Sequence, residues 1–301
     1  MRVFVTGATG FIGSAVVQEL RGAGHQVLGL ARNDAAADAL ARLDVESHRG
    51  DLSDPASLAA GARACDGVIH TAFIHDFANI VASGVADLHA IEAFGAALEG
   101  SGKPLVVTSA VGHLAHGRVS TEDDLPDPGA AAKHRVASEA ATLALAARGV
   151  RASLLRLPPS VHGEGDHGFV PRLIDIAREK GVSAYPGDGS NRWAAVHRFD
   201  AAHLFRLALE ASPVGARLHA IGDGGVPVRE IAGAIGRHLG LPVTAISPET
   251  AADHFGWLGA FFSLDVPASS TLTRELLDWR PTRAGLLDDL EQGHYFHDRA
   301  A

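Results

Sequence analysis

Short apolar runs alternate with longer stretches of helical periodicity through the first half of the chain. "RVFVT" at 2–6 and "QVLGL" at 26–30 have the length and continuous apolar character of buried strands, and 45–49, 67–71, 104–109 and 151–157 continue the series. Between the first two strands, Ile12, Val16, Leu20 and Ala23 fall on one face of a helix over 11–23. Further helices are expected at 35–43, 55–63, 78–99 and 131–148. Asp54 and Pro55 open the helix at 55–63 as N-cap and first helical residue. Strands alternating with helices predict an α/β fold built on a parallel, doubly wound sheet.

Beyond Leu157 the pattern changes. "LPPSVHGEGDHG" reads as a loop. Helical patterns then dominate at 169–180, 200–211, 227–239, 248–256 and 283–295, with short strands near 194–198 and 216–221. The expected organisation is a sheet domain over residues 1–160. Residues 161–301 then form a smaller, mainly helical C-terminal substrate lobe, partly interleaved with the sheet. This lobe is placed over the carboxyl ends of the strands, where open α/β sheets bind their ligands.

Composition narrows the function. The 301 residues carry a net charge of −9, which gives no general attraction to nucleic acid, and no nucleic-acid partner is expected. No run reaches the roughly 18 uninterrupted apolar residues of a membrane span, so no membrane partner is expected either. The chain enters an apolar strand at once, and Cys65 is its only cysteine; a reducing, cytoplasmic setting is the expectation. With 17 histidines, a single histidine in a promising place carries little weight by itself.

"VFVTGATGFIGSAV" is the most informative stretch. Gly7, Gly10 and Gly13 stand between the first strand and the first helix. The first permits a tight turn, the second lets backbone approach a pyrophosphate, and the third lets helix and strand pack closely. This is the signature of a Rossmann dinucleotide site, with the helix amides and dipole facing the phosphates. Thr9, Phe11 and Ile12 belong to the same cradle. At the end of the second strand stands Arg32, after Ala31, where an acidic residue would bind ribose hydroxyls; Asp34 lies too far along. A guanidinium matches a 2′-phosphate and stacks on adenine, so NADP(H) is preferred, with NAD(H) the alternative.

Taken in order, these features resemble the extended and atypical branches of the short-chain dehydrogenase/reductase superfamily, the NAD-dependent epimerase/dehydratase group. "TGATGFIG" matches that group's loop almost letter for letter. "GDLSD" looks like its adenine-contacting segment, which implies that role for Asp51 and Leu52. "HTAF" matches the segment after the fourth strand and implies that Thr71, Ala72 and Phe73 line the cofactor. "VVTSA" matches the fifth strand with its serine, Ser109 or, with a one-residue slip, Ala110. "RLPPSVHGEGD" resembles the loop beside the nicotinamide and brings in Pro158, and "WRPT" looks like the group's closing motif. Dimers are common among such proteins, so the resemblance implies a homodimer.

The resemblance breaks at the catalytic tyrosine. The group's pattern is Tyr-x-x-x-Lys followed by Glu. Aligning on Glu139 puts Arg135 at the lysine and Ala131 at the tyrosine; the only tyrosines are Tyr185 and Tyr295. Arg135 can hold a ribose or phosphate oxygen but cannot titrate as lysine does. A carbonyl reduced by hydride still needs a donor on its oxygen. The candidates are Ser109, His75, His113 and His162, with Asp76 and His134 close by. "HGEGDH" gathers possible metal ligands, but its spacing fits no standard zinc site, and no metal is expected.

"AYPGDGSNRWAAVH" places Tyr185, Arg192 and Trp193 on a loop of the kind that faces substrate. "HFGWLGAFFSLD" adds Phe255, Trp257, Phe261 and Phe262, as core, lid or dimer patch. Asp200 is expected as an N-cap, and Asp87, Glu92 and Glu99 on a solvated helix face. The function expected is an NADPH-dependent oxidoreductase that reduces a C=O or C=N group of a small, fairly apolar molecule. The alternatives are a sugar-type epimerase or dehydratase and a non-catalytic NADPH sensor.

Overall fold

The computed structural model describes residues 1–76, 78–127, 129 and 133–297. Its first half follows the alternation of the sequence: β1 (Arg2–Thr6), α1 (Phe11–Gly22), β2 (Gln26–Ala31), α2 (Asp34–Arg42), β3 (Glu46–Arg49), α3 (Pro55–Arg63), β4 (Gly67–His70), α4 (Ile80–Leu98), β5 (Pro104–Ala110), α5 (Val136–Ala144) and β6 (Arg151–Leu157). Asp54 caps α3 through bonds from the amides of Ala56 and Ser57, with Pro55 in the first turn. The helix expected at 131–148 is shorter: single turns of 3-10 helix at Lys133–Arg135 and Leu145–Arg148 flank α5. Its first two residues lie outside the described ones.

The second half contains more strand than its periodicity predicts. It runs β7 (Ser160–His162), α6 (Phe169–Lys180), β8 (Ser183–Pro186), β9 (Arg192–His197), α7 (Arg198–Ala211), β10 (Arg217–His219), β11 (Asp223–Pro227), α8 (Val228–Leu239), β12 (Val243–Ile246), α9 (Ala251–Phe255), α10 (Leu258–Phe262), α11 (Thr271–Leu277) and α12 (Leu286–Glu291). Of the two expected helices that differ most, 283–295 contracts to α12, and 248–256 to α9 with a 3-10 turn before it. Asp200 is not a cap. His197 caps α7, and Asp200 sits inside its first turn, where its carboxylate accepts from the amides of Thr282 and Arg283.

β10, β6, β5, β4, β1, β2 and β3 form one parallel sheet in that order. The strand order reverses between β1 and β4, which opens a crevice at their carboxyl ends. One face is packed by α1 and α7 and the other by α3, α4 and α5. By length and composition α4 is apolar enough to cross a membrane, but its inner face from Ser83 to Leu98 is buried against the sheet, as in a core helix. β11, β9 and β7 make a second sheet, and β12 pairs with β8. With α6, α8, α9, α10 and α12 these surround a separate apolar core, centred on Trp193, Phe255, Phe262 and Leu290.

Candidate functional site

The carboxyl ends of the central strands open into a cavity of about 1090 Å3 that runs from Arg32 to Trp257 and Phe261. Pockets for small ligands span roughly 300–1,000 Å3, so this cavity stands at the upper end of that range.

Gly7, Thr9, Gly10, Phe11, Ile12 and Gly13 form one wall. Gly7 has φ of +68° and turns the chain out of β1; the amide of Gly10 donates to its carbonyl at 2.8 Å. No side chain caps the start of α1, and its first turn holds no carboxylate. Its leading amides are therefore available to an anion, and the helix dipole favours one there.

At the far end of the loop Arg32 and Asp51 share the wall with Leu52. Asp34 is turned away into an ion pair with Arg49. The Asp51 carboxylate accepts from the amide and hydroxyl of Ser53 at 2.9 and 2.8 Å. These bonds hold its pKa below the usual carboxylate value, and Arg32 adds to the effect. After β4, the wall is made by Thr71, Ala72, Phe73 and His75, and Thr71 Oγ1 donates to the Thr6 carbonyl at 2.7 Å.

Arg135 lies at the cavity's middle, nearly buried. Its guanidinium carbon sits 3.5 Å from the centre of the Phe73 ring, and Nη1 lies 3.4 Å from Asp87 Oδ1. Asp87 in turn meets His70 Nε2 at 3.2 Å, and His70 Nδ1 meets Thr6 Oγ1 at 2.7 Å. Burial lowers the pKa of Arg135, and Asp87 opposes that shift. Burial pushes the Asp87 carboxyl up, but His70 and Arg135 outweigh it and the net direction is down. Asp87 is thus no solvated residue: it is 1% exposed. Its position carried a signal, since it falls four and seven residues before Ile91 and Phe94 on the buried stripe of α4.

Ser109 and Ala110 both reach the wall at the end of β5. Ser109 Oγ donates to Glu139 Oε2 at 3.1 Å. Glu139 is held by a guanidinium fork from buried Arg156, and His113 Nε2 lies 2.7 Å from the same Oε2. Burial alone would raise the Glu139 pKa, but His113 and Arg156 bring it down to about 2.

The four expected proton donors separate here. Ser109 and His75 line the cavity. His113 and His162 do not: both are fully buried, His113 against Glu139 and His162 with Nδ1 2.9 Å from Asp289 Oδ2. Their rings lie against carboxylates and are not among the residues that line the cavity. His134 joins His75 on the wall beside Phe73. Burial and then Arg135 lower the pKa of both rings, for His134 to about 4. Among the described residues the wall has no tyrosine. Tyr295 donates to Asp166 at 3.0 Å behind it, Tyr185 stands in β8, and Ala131 lies outside the described residues.

Pro158 and Pro159 carry the wall across to the second half of the chain. There Phe169, Trp193, Trp257, Phe261, Leu264 and Val266 make an apolar end, with Asp166, His167 and Arg172 as its polar members. The four aromatics of 254–265 divide between two expected roles: Phe255 and Phe262 are core, while Trp257 and Phe261 face the cavity. Of the loop 184–197 only Trp193 reaches the wall; Arg192 pairs with Asp265 at 2.9 Å.

Comparison with known proteins gives the family and the fold. The model of the NAD dependent epimerase/dehydratase family matches residues 3–220. An uncharacterized protein of Schizosaccharomyces pombe is 49% identical over 298 residues, covering 98% of this chain and 100% of its own. A 2-alkyl-3-oxoalkanoate reductase of Stenotrophomonas maltophilia is 31% identical over 272 residues, covering 83% of this chain and 80% of its own. The crystal structure of a dTDP-glucose 4,6-dehydratase from Streptomyces venezuelae with NAD bound has a TM-score of 0.81 at 21% identity, over 99% of this chain and 97% of that one. That last likeness is one of fold.

Proposed function

Because the chain belongs to the NAD dependent epimerase/dehydratase family, we propose that it is an NADPH-dependent reductase of a C=O or C=N group in a small, fairly apolar molecule. The observation that carries this reading is the single cavity. It joins an uncapped, carboxylate-free helix start, an arginine at the end of β2, and an apolar chamber beyond Ser109 and His75. The 31% identical relative named for reduction of an oxoalkanoate points the same way.

In this reading the glycine loop holds the diphosphate through the leading amides of α1. Arg32 takes the 2′-phosphate by charge-assisted bonds, with Asp51 and Leu52 beside the adenosine. Thr71, Ala72, Phe73 and Pro158 form the channel to the nicotinamide, and Arg135 lies against the ribose there. The reduced nicotinamide, when bound, supplies the hydride that a carbonyl carbon accepts. Asp87 and Phe73 fix Arg135 as a permanent cation, so it stabilises negative charge and moves no proton.

The oxygen that gains the electron pair needs a donor. Burial and Arg135 lower the pKa values of both His75 and His134, which favours the neutral rings; the neutral His134 ring offers one N–H, while the His75 ring is hydrogen-bonded to the Phe73 backbone. Ser109 lies at the same wall with its hydroxyl donating to Glu139, so serving the substrate oxygen as a donor requires that hydroxyl to turn from the carboxylate. The final proton comes from water through these groups. An imine that enters protonated needs less of this help, which suits a site whose wall lacks the family's tyrosine.

The test is turnover: purified protein with NADPH or NADH and a panel of ketones, aldehydes and imines, followed by loss of reduced-nicotinamide absorbance. Oxidation of NADPH with any of them supports the reading. Tight NADPH binding with no turnover on the whole panel favours a sensor instead. Arg32→Asp is expected to reduce the preference for NADPH over NADH by about 10- to 100-fold, the size of one or two charge-assisted bonds. An unchanged preference would remove Arg32 from the site.

A further inference from the structure

The ends of β2 and β3 lie side by side, with Ala31 opposite Arg49 in the register. The backbone at this corner is fixed from two directions. The Gly50 amide donates to the Ala31 carbonyl at 3.3 Å, and Ser57 Oγ on α3 donates to the Arg49 carbonyl at 3.0 Å. A Cβ on Gly50 would stand 1.8 Å from Ser57 Oγ, so this close approach of α3 depends on the glycine. Two arginines leave the sheet here, Arg32 just after β2 and Arg49 at the end of β3.

The acceptor side chains beside them are engaged. Asn33 Oδ1 accepts from the Ala36 amide at 2.9 Å and caps α2. Asp51 accepts from the amide and hydroxyl of Ser53. Asp34, the first residue of α2, pairs with Arg49. Arg32 lines the cavity, and among the described residues it has no hydrogen bond or ion pair; it meets Asp51 through charge alone. This division matters because Asp34 stands only two residues past Arg32. Two Cα steps span at most about 7.6 Å, inside the Debye length of about 8 Å at physiological salt. Asp34 lies too far along to bond the ribose, yet near enough to compete with a phosphate for Arg32.

We propose that Arg49 is a specificity-determining residue for the dinucleotide: it holds Asp34 away from Arg32 and so leaves Arg32 open to a 2′-phosphate. It acts through Asp34 and touches no part of the cofactor, which makes it a positioning residue. The proposal rests on the reductase reading for the placement of adenosine beside Arg32. Stability is not the role of the pair. Its side chains are 54% and 91% exposed, and ion pairs in such surroundings contribute little to folding.

The test is a double-mutant cycle on Asp34 and Arg49 in the full chain. NADPH and NADH affinities are read by nicotinamide fluorescence, and thermal melts are run beside them. Both affinities come from the same variant, so any loss of folded protein cancels from their ratio. Arg49→Gln is expected to lower the preference for NADPH over NADH about three- to fivefold, the size of one exposed charge pair, and to leave the melting temperature unchanged. Asp34→Asn is expected to keep at least the wild-type preference. In the Asp34→Asn background, Arg49→Gln is expected to change nothing. An unchanged preference in Arg49→Gln alone would overturn the proposal. So would a loss of the same size in the Asp34→Asn background, which would mean that Arg49 meets the phosphate itself. Both of those results leave NADPH binding by the wild type in place. A wild type that binds neither dinucleotide would instead sink the reductase reading, and this proposal with it.

Discussion

Gly13→Ala is expected to weaken NADPH binding by about 100-fold and to cost about 1–3 kcal/mol of stability, the range for overfilling a closely packed site. The reason is contact between two backbones. A Cβ on Gly13 would stand 2.0 Å from the Gly7 carbonyl oxygen and 2.7 Å from its carbon. No rotamer change relieves that. Gly7 cannot retreat either: it holds φ +68° against Ala72 and accepts the bond from the Gly10 amide. The strain moves α1 outward, and with it the leading amides that face the cavity. Gly22 in the same helix provides the control. Nothing lies within 4 Å of a Cβ there, so Gly22→Ala is expected to leave NADPH affinity unchanged and to stabilise by about 0.5–1 kcal/mol. Fluorescence titration and thermal melts of the two variants check both. Wild-type affinity in Gly13→Ala would remove the glycine loop from the binding argument.

That loop was legible because sequence alone fixes what it needs: a strand, a turn with positive φ, and a helix start. Most strands and helices up to Leu157 were legible for a similar reason, since each is a continuous apolar run or an amphipathic stripe against one sheet; the polar edge strand β3 is the exception. All the wall residues expected from Gly7 to Arg135 and Pro158 come together in the cavity. The second half was harder to read. β7 and β11 are three- and five-residue strands, "SVH" and "DGGVP", whose partners come from elsewhere in the chain, and β12 is exposed. No periodicity can develop over such lengths. Charged residues misled in a different way. Asp87 falls on an apolar stripe, and a helix wheel alone would leave it an anomaly; His70 from β4 and Arg135 from beyond β5 help make its burial tolerable. His113 and His162 carry the residue type of a proton donor, but their rings are buried against Glu139 and Asp289, pairings that depend on tertiary structure.

Glu139→Ala is expected to destabilise the protein by about 3–5 kcal/mol, the cost of leaving a buried partner charge uncompensated. The stranded charge is Arg156, whose guanidinium is fully buried. Its remaining bonds reach only the Asp124 carbonyl at 3.0 Å, the Glu122 carbonyl at 3.5 Å and His219 Nε2 at 3.3 Å. Glu139→Gln keeps an acceptor oxygen for Arg156 and Ser109, so it is expected to lose less stability. The same cluster sets an acid limit. His219 Nδ1 donates to the Ser269 carbonyl at 2.9 Å, which leaves Nε2 as the acceptor for Arg156. A proton on Nε2 would face a guanidinium inside the core. Burial and Arg156 accordingly lower the pKa of His219 to about 3 from an ordinary 6.5, and Glu139 is held at about 2 against 4.5. In both cases the folded chain binds fewer protons than the unfolded one, so stability is complete above pH 6.5 and falls with acidification. His219 acts first, between 6.5 and 3, and Glu139 below 4.5. One proton gives a slope of at most about 1.4 kcal/mol per pH unit. His219→Gln can supply both the donor and the acceptor without titrating. Urea melts at pH 7, 5.5 and 4 are therefore expected to show a shallower loss in His219→Gln than in the wild type. Parallel curves for the two proteins would mean that His219 does not carry this part of the acid sensitivity.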